Sequence, residues 1–467
     1  MPSAWATFGI DLHLDLTGPR VRAGLERALR DAVQTGRLHP GTRLPSSRTL
    51  ALDLGIARNT VATAYGQLVA EGWLTARPGS GTQVADRATP GAAAARPSGA
   101  QTRRLRYDLR PGVPDLSAFP RTEWLAAARR ALNSAPYEAF GYPDPRGRPE
   151  LRMALAGYLA RARGVRVSPD RIVVVAGFAQ GFALLAHVLR ARGARTLALE
   201  AYGHPAHRNL AAEHELHPRA ISVDSQGAVI EELGDADTVL LTPAHQFPLG
   251  VALTAARRTQ VLEWALGSGG LIIEDDYDGE FRYDRQPLGA MQALGPEQVV
   301  YAGTASKSLA PGLRLGWLVL PAELADELVA AKSRPDRHSD TLEQLTLAEF
   351  ITAGAYDRHL RRSRLAYRRR RDRLVAALQR HAPQVLVTGI AAGLHALVEL
   401  PEGLGEDEIV TRAARLGLAL EGLGSYSAKP HHRSAALVVG YGTPPDHAYT
   451  AAVARLCAAL DDRAATT

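Results

Sequence analysis

Cysteine is nearly absent. The one residue, Cys457, in a chain of 467 has no partner for an internal disulfide, and it fits a reducing compartment, so a cytoplasmic setting is expected. Long apolar runs are absent too: none approaches the roughly 20 residues a helix needs to cross a bilayer, and no membrane span is expected. The opening residues, MPSAWATFGIDLHLDL, lack a basic segment followed by an apolar block, so no secretory signal is expected. No repeat of solenoid or propeller period occurs, which excludes those architectures. A strong charge imbalance is missing as well: 55 Lys and Arg against 48 Asp and Glu leave a net +7. The excess is arginine in an alanine- and arginine-rich chain. Genomic base bias accounts for it as readily as a polyanionic partner, so composition alone does not decide for nucleic acid.

What is present excludes a disordered chain: 46% of residues are hydrophobic and 22% charged. The length suggests about three domains at roughly 150 residues each. Residues 86–104, DRATPGAAAARPSGAQTRR, are rich in Ala, Pro, Gly and Arg without apolar periodicity and read as a flexible linker. It separates a small head, residues 10–85, from a large body, residues 105–460.

In the head, Val21, Leu25, Ala28, Leu29, Ala32 and Val33 recur at helical spacing between Pro19 and Gly36, predicting a first helix. From Leu44 to Gly72, LPSSRTLALDLGIARNTVATAYGQLVAEG reads as two more. Ser46 or Ser47 caps the first; Gly55 turns the chain into the second, which opens on Arg58, Asn59 and Thr60. Two helices joined by a glycine turn, with polar residues leading the second, can present hydrogen-bonding groups to a major groove. Trp73 to Ala85, WLTARPGSGTQVA, then predicts a β-hairpin wing that puts Arg77 near a phosphate or minor groove.

These residues resemble the winged helix-turn-helix head of the GntR family in four places: the Leu-Pro-Ser-Ser-Arg run, the Leu-Gly turn, the Arg-Asn-Thr-Val start and the Gly-Ser-Gly-Thr wing. The resemblance implies a double-stranded DNA operator as partner, with Arg43, Ser47, Arg48, Arg58, Asn59, Thr60, Arg77, Gly81 and Thr82 at the interface. Any one surface arginine is as well explained by solvation; the set is not. Ala57 departs from the pattern, because the family commonly has a serine there to cap the recognition helix. Losing such a cap costs about 0.5–2 kcal/mol, so this helix is expected to firm up on DNA.

The body alternates β-rich runs with helical stretches: IVVVAG at 172, TLALE at 196, TVLLTP at 238, LIIEDDY at 271, VVYAGTASK at 299 and GWLVLP at 316. Apolar runs separated by helices predict an α/β fold on a parallel sheet, which binds ligands at the carboxyl ends of its strands. Polar residues cluster there. Ala179 and Gln180 open a helix whose backbone N–H groups can hold phosphate. Asp275 suits a pyridine nitrogen that must stay protonated, and Tyr277 suits the neighbouring phenolate oxygen. Lys307 supplies an amine for an imine, and Thr304, Ser306 and Arg314 complete a phosphate cup. The cofactor so described is pyridoxal 5'-phosphate (PLP), and no metal is expected. Surface loops with a solvated Asp and Lys are the bland alternative, which order, spacing and strand context together argue against.

Residues 105–460 resemble the fold type I aminotransferases, with a mainly parallel sheet and a small C-terminal α/β subdomain. Across its length the chain resembles the MocR branch of GntR regulators, on TPAHQFPLG (Thr242 to Gly250), EDDYDGEFRY (Glu274 to Tyr283) and TASKSLAPGLRLGW (Thr304 to Trp317). That resemblance implies a head-to-tail homodimer in which Tyr142 reaches the partner's cofactor phosphate, and it puts His245 and Gln246 at the ring pocket. Three departures stand out. EAYGHPAHR puts His204 where the family has a tyrosine near the cofactor ring, with Tyr202 two positions earlier; either ring stacks, or neither. The arginine that grips a substrate carboxylate is replaced by Val438, with Arg433 the nearest substitute. Asp357 to Leu378 carries many arginines on a helix with Leu360, Leu365, Leu374 and Leu378 inside, a solvated face in preference to a second DNA-contacting one.

Two functions remain open: a transcription regulator that senses PLP, an amine or an amino acid through a Lys307 Schiff base, and a working aminotransferase with a DNA-binding head. The doubtful carboxylate clamp favours the regulator, whose switching needs only differential affinity between states.

Overall fold

A computed structural model of the chain describes residues 21–77, 81–86, 105–283, 288–334, 339–428 and 434–461. The linker beyond Asp86, the wing tip (78–80), residues 10–20 and Arg433 fall outside the described residues. The chain divides into two compact units, Met1–Arg104 and Leu105–Thr467.

In the first unit α1 (Val21–Gln34), α2 (Ser47–Leu54) and α3 (Arg58–Ala70) enclose a small core of Leu25, Leu29, Leu50, Val61 and Leu68. Ser46, not Ser47, caps α2, its side chain accepting from Thr49 N at 3.1 Å. Gly55 ends α2 with φ 65°, a left-handed turn that glycine takes without a Cβ penalty. Ala57 begins α3 with no side-chain cap. The strands β1 (Leu74–Arg77) and β2 (Gly81–Val84) pair antiparallel as the wing, and Leu44 N bonds Thr82 O to tie that wing beside Arg43.

The body begins with a short strand, β3 (Tyr107–Asp108), followed by α4 (Arg121–Ser134) and α5 (Pro149–Arg163). Its main sheet is built from β4 (Ile172–Val175), β5 (Thr196–Glu200) and β6 (His217–Ile221), then, past the small hairpin β7 (Val223–Asp224) and β8 (Gly227–Ala228), β9 (Thr238–Leu241), β10 (Leu271–Asp276), β11 (Val299–Thr304) and β12 (Gly316–Val319). The spatial order is β4-β12-β11-β10-β9-β5-β6. Pairing is parallel from β11 through to β6, while β12 runs antiparallel to both neighbours. Helices α6 (Phe178–Ala191), α7 (Pro205–Glu213) and α9 (Ala322–Ser333) cover one face, where alternate residues Val173, Val175, Leu197, Leu199 and Val300 are buried. Helix α8 (Ala255–Ser268) covers Ala198, Val239 and Ile272 on the other face.

After α10 (Thr341–Thr352), α11 (Ala355–His381) leads into the subdomain. Leu360, Ser363, Tyr367, Arg370, Leu374 and Leu378 form its buried stripe at helical spacing. Leu365, expected inside, lies off that stripe and is 56% exposed. Buried Arg370 is held by Asp115 at 2.6 Å and Pro444 O at 2.7 Å. A second sheet follows, of β13 (Leu386–Thr388), β14 (His395–Glu399), β16 (Glu421–Gly422) and β17 (Ala436–Gly440), with α12 (Glu406–Arg415) and α13 (Asp446–Leu460) alongside. Strand β15 (Leu418–Ala419) pairs parallel with β3, so the first residues of the body are stitched to its last third.

Candidate functional site

The carboxyl ends of β4, β5, β9, β10 and β11 meet at one edge of the sheet. The connection returning from β11 into β12 crosses the same edge. A cavity of about 190 Å³ opens there. Seven of the residues singled out in the sequence line it together: His204, Asp275, Tyr277, Thr304, Ser306, Lys307 and Arg314.

One end of the cavity is built for an anion. Gly177 precedes α6 with φ 88°, a conformation that favours glycine, and its Cα faces the Arg314 guanidinium, a Cβ there lying 3.5 Å from Nη1. Arg314 itself sits in the left-handed region at φ 53°. Only one other described non-glycine residue, Glu215, has a positive φ, and such strain concentrates at functional sites. Thr304 Oγ1 accepts from Ser306 N at 3.1 Å and donates to Ser306 Oγ at 2.9 Å, which fixes both hydroxyls before anything binds. Ala179 and Gln180 lie in the first turn of α6 and are not among the residues lining the cavity. Gln180 Oε1 folds back to accept from Ala176 N at 2.6 Å.

At the other end Lys307 Nζ donates to Gly112 O at 2.5 Å. Burial pushes the ammonium pKa down, opposed by the charges of Asp275 and Asp278. Its amine is therefore nearer the nucleophilic free base than a surface lysine. Asp275, next to last in β10, is almost wholly buried, and that burial drives its pKa well up while the charge of Lys307 draws it back. A cationic N–H placed beside such an acid would share its proton and restore its charge.

The structure separates the remaining candidates. Of the two aromatic alternatives, His204 lines the cavity, and Tyr202 packs with Leu249, Leu423 and Val438 in a separate core. His204 Nδ1 also caps α7, accepting from Ala206 N at 3.2 Å. His245 is buried behind Tyr277, its Nδ1 2.8 Å from Asp278 Oδ2 and 3.1 Å from the Tyr277 hydroxyl. Gln246 turns away from the cavity and clamps backbone: its Nε2 donates to Tyr202 O and Phe247 O, both at 2.7 Å. Tyr142 is 87% exposed and does not line this cavity. Val438 is fully buried in β17.

Sequence reading missed His207, Arg208, Glu200 and His395, all of which line the cavity. The first two follow His204 at helical spacing, the signal that would have found them. Arg208 Nη2 donates to Ser427 O at 3.1 Å and adds a second guanidinium. Burial holds the His207 pKa down to about 3, and burial raises Glu200 to about 7.

In the head, Arg43, Arg48, Arg58, Asn59 and Gly81 are exposed, and Ser47, Thr60 and Thr82 are half-buried. Arg77 pairs with Gly81 through backbone, its side chain being outside the described residues.

Two family models match the chain: bacterial regulatory proteins, gntR family, over residues 22–84, and aminotransferase class I and II over residues 110–408. A probable rhizopine catabolism regulatory protein, MocR, of Rhizobium meliloti is 34% identical, covering 84% of each chain. The pyridoxine biosynthesis transcriptional regulator PdxR of Corynebacterium glutamicum is 33% identical over 86% of this chain and 88% of its own. Among solved structures, a multiple substrate aminotransferase from Thermococcus profundus superposes with a TM-score of 0.70 at 25% identity, covering 79% of this chain and 94% of that one.

Proposed function

Since the chain belongs to the MocR branch of the gntR-family regulators, with a winged-helix head joined to an aminotransferase class I and II body, we propose that it switches transcription in response to PLP, an amine or an amino acid captured at Lys307. Its cofactor is PLP. The cavity fits that group: Gly177, Thr304, Ser306 and Arg314 would hold its phosphate, Asp275 its ring nitrogen, Tyr277 its phenolate oxygen and Lys307 its aldehyde carbon. Bound there, the cofactor supplies an aldehyde that condenses with amines and a ring that withdraws electrons. The observation that carries the reading is that Lys307, Asp275, Tyr277 and Arg314 line one cavity at the strand ends, in a chain that also exposes a polar helix start at Arg58 and Asn59.

The head would contact an operator through Arg43, Ser47, Arg48, Arg58, Asn59, Thr60, Gly81 and Thr82. Arg208, which lines the cavity, is a candidate partner for an effector carboxylate. A homodimer is supported by a run of exposed apolar side chains on and after α4: Leu125, Leu132, Tyr137, Phe140 and Tyr142. Such a partner would bring its Tyr142 to this chain's cavity.

Arg208 gives the second reading, a working transaminase, its one observation, because carboxylate capture serves catalysis as well as sensing. One experiment separates them. The protein and Lys307→Ala are mixed with PLP and followed by visible absorption against a panel of amines and amino acids, with operator binding measured alongside. A Lys307-dependent band that shifts once without turnover, together with altered DNA affinity, supports the regulator. Steady conversion to the amine form of the cofactor supports the enzyme, and no sequence-specific DNA binding would sink the regulatory reading.

A further inference from the structure

Behind the cavity wall, one imidazole nitrogen stands between a carboxylate and a phenol. His245 Nδ1 lies 2.8 Å from Asp278 Oδ2 and 3.1 Å from the Tyr277 hydroxyl. Two of the three groups are out of water, the side chains of His245 and Asp278 being 2% and 1% exposed, while Tyr277 is half-buried on the cavity wall. Gly393 closes the packing, since a Cβ there would fall 2.3 Å from His245 Cε1 and 2.4 Å from Asp278 Oδ2.

Counting protons limits the arrangements. A ring nitrogen carries at most one hydrogen. An ionised buried carboxylate needs donors, and Asp278 Oδ1 has none among the described residues. The Nδ1 hydrogen therefore goes to Asp278 Oδ2. With its lone pair spent, Nδ1 cannot accept from Tyr277. The phenolic proton then has two destinations, the Asp278 carboxylate or the cavity. The other groups facing this cluster do not compete for it. Tyr283 and Tyr441 spend their hydroxyls on Gly393 O at 2.5 and 2.8 Å. His395, its ring 5.0 Å from that of His245, is engaged with Pro248 O through Nε2 at 3.2 Å. Phe247 meets the Tyr277 ring edge-on. Asp275 and Lys307 face Tyr277 and Asp278 from the cavity side. Consistent with a shared proton, burial, then the charges of Asp278 and Asp275, then a hydrogen bond to Asp278 drive the Tyr277 pKa well up.

We propose that Asp278 and His245 are a positioning pair that sets where Tyr277 sends its proton: toward Asp278 when that carboxylate lacks donors, and into the cavity, onto the cofactor's phenolate oxygen, when His245 satisfies it. This rests on the cofactor reading above. The pair touches no ligand; it acts through Tyr277, and so tunes the proton affinity of the nitrogen joining Lys307 to the cofactor. A phenolate that receives the tyrosine's hydrogen bond holds that nitrogen's proton less tightly.

The test titrates the visible absorption of the full-length chain with PLP from about pH 5 to about pH 9. Asp278→Asn, a weaker acceptor, is expected to lower the midpoint by about one pH unit. His245→Leu, which strands the carboxylate and draws the phenolic proton back, is expected to raise it. Both shifts should be much smaller when Tyr277→Phe is already present, what is left in Asp278→Asn being the direct loss of its charge near Lys307. An unchanged midpoint in Asp278→Asn, or an equal shift without the Tyr277 hydroxyl, overturns the proposal while leaving the Lys307-dependent band in place. A band that forms equally in Lys307→Ala overturns the cofactor reading instead. Should Asp278→Asn fail to fold, the sign of the His245→Leu shift decides: upward supports the pair, zero or downward overturns it.

Discussion

Replacing Arg163 by methionine isolates the interaction that anchors the end of β10, the strand that carries Asp275 and leads into Tyr277. Arg163 reaches Asp276 through Nε at 2.6 Å and Nη2 at 2.8 Å, with both side chains essentially out of solvent. Methionine keeps most of the stem's packing but leaves Asp276, among the described residues, with the Tyr301 hydroxyl at 2.7 Å as its side-chain partner. Stranding a buried charge in this way costs about 3–5 kcal/mol. The loss also removes the Nη1 bond to Leu288 O at 2.8 Å, worth about 1 kcal/mol. The expected result in urea unfolding followed by circular dichroism is a loss of about 3–5 kcal/mol near pH 8. Adding Asp276→Asn should restore all but about 1–2 kcal/mol. A single variant within about 1 kcal/mol of the parent near pH 8, or a double variant no better than the single, would refute the reasoning.

Three further outcomes are expected. Ala57→Ser supplies the missing cap of α3 and should stabilise the head by about 0.5–2 kcal/mol, read as a higher melting temperature and weaker coupling between helix formation and operator binding. Glu200, raised to about 7 by burial, adds stability that is full below about pH 4.5 and falls away as pH rises through 7; Glu200→Gln should flatten that part of the pH-stability curve by a few kcal/mol, measured by urea titration at several pH values. Gly303→Ala would drive a Cβ to 2.3 Å from Trp317 Nε1, so a loss of about 1–3 kcal/mol and a change in the Trp317 fluorescence maximum should follow; an unaltered spectrum would argue against that packing.

Much of this was legible in residue order. The six apolar runs became strands, and the residues just past them became the cavity wall, because a parallel sheet brings its carboxyl ends to one edge whatever else varies. The edge strand β6 was invisible, since His217 and Pro218 are exposed and its residues show no alternation. The reversed direction of β12 was equally hidden, because an apolar run carries no arrow. Gln246 and Asp278 show the limit more sharply. A polar residue in a loop announces chemistry, but which way it turns depends on carbonyls and rings delivered by distant segments. For Gln246 these are the backbone oxygens of Tyr202 and Phe247, and for Asp278 the imidazole of His245. The helical spacing of His207 and Arg208 from His204 was readable and was overlooked.

The reversed strand also governs when the site comes into being. Within the sheet β4 pairs with β12 alone, Val175 lying opposite Gly316, so the edge carrying Gly177 waits for a segment that leaves the ribosome roughly 140 residues later. The connection that completes it bears Ser306, Lys307 and Arg314. Lysine, hydroxyls, guanidinium and helix terminus thus come into register in one late, long-range event. Capture of the cofactor is consequently a certificate of finished folding: a nascent or partly opened body offers the phosphate no cup, and free PLP draws the chain toward the closed sheet by mass action.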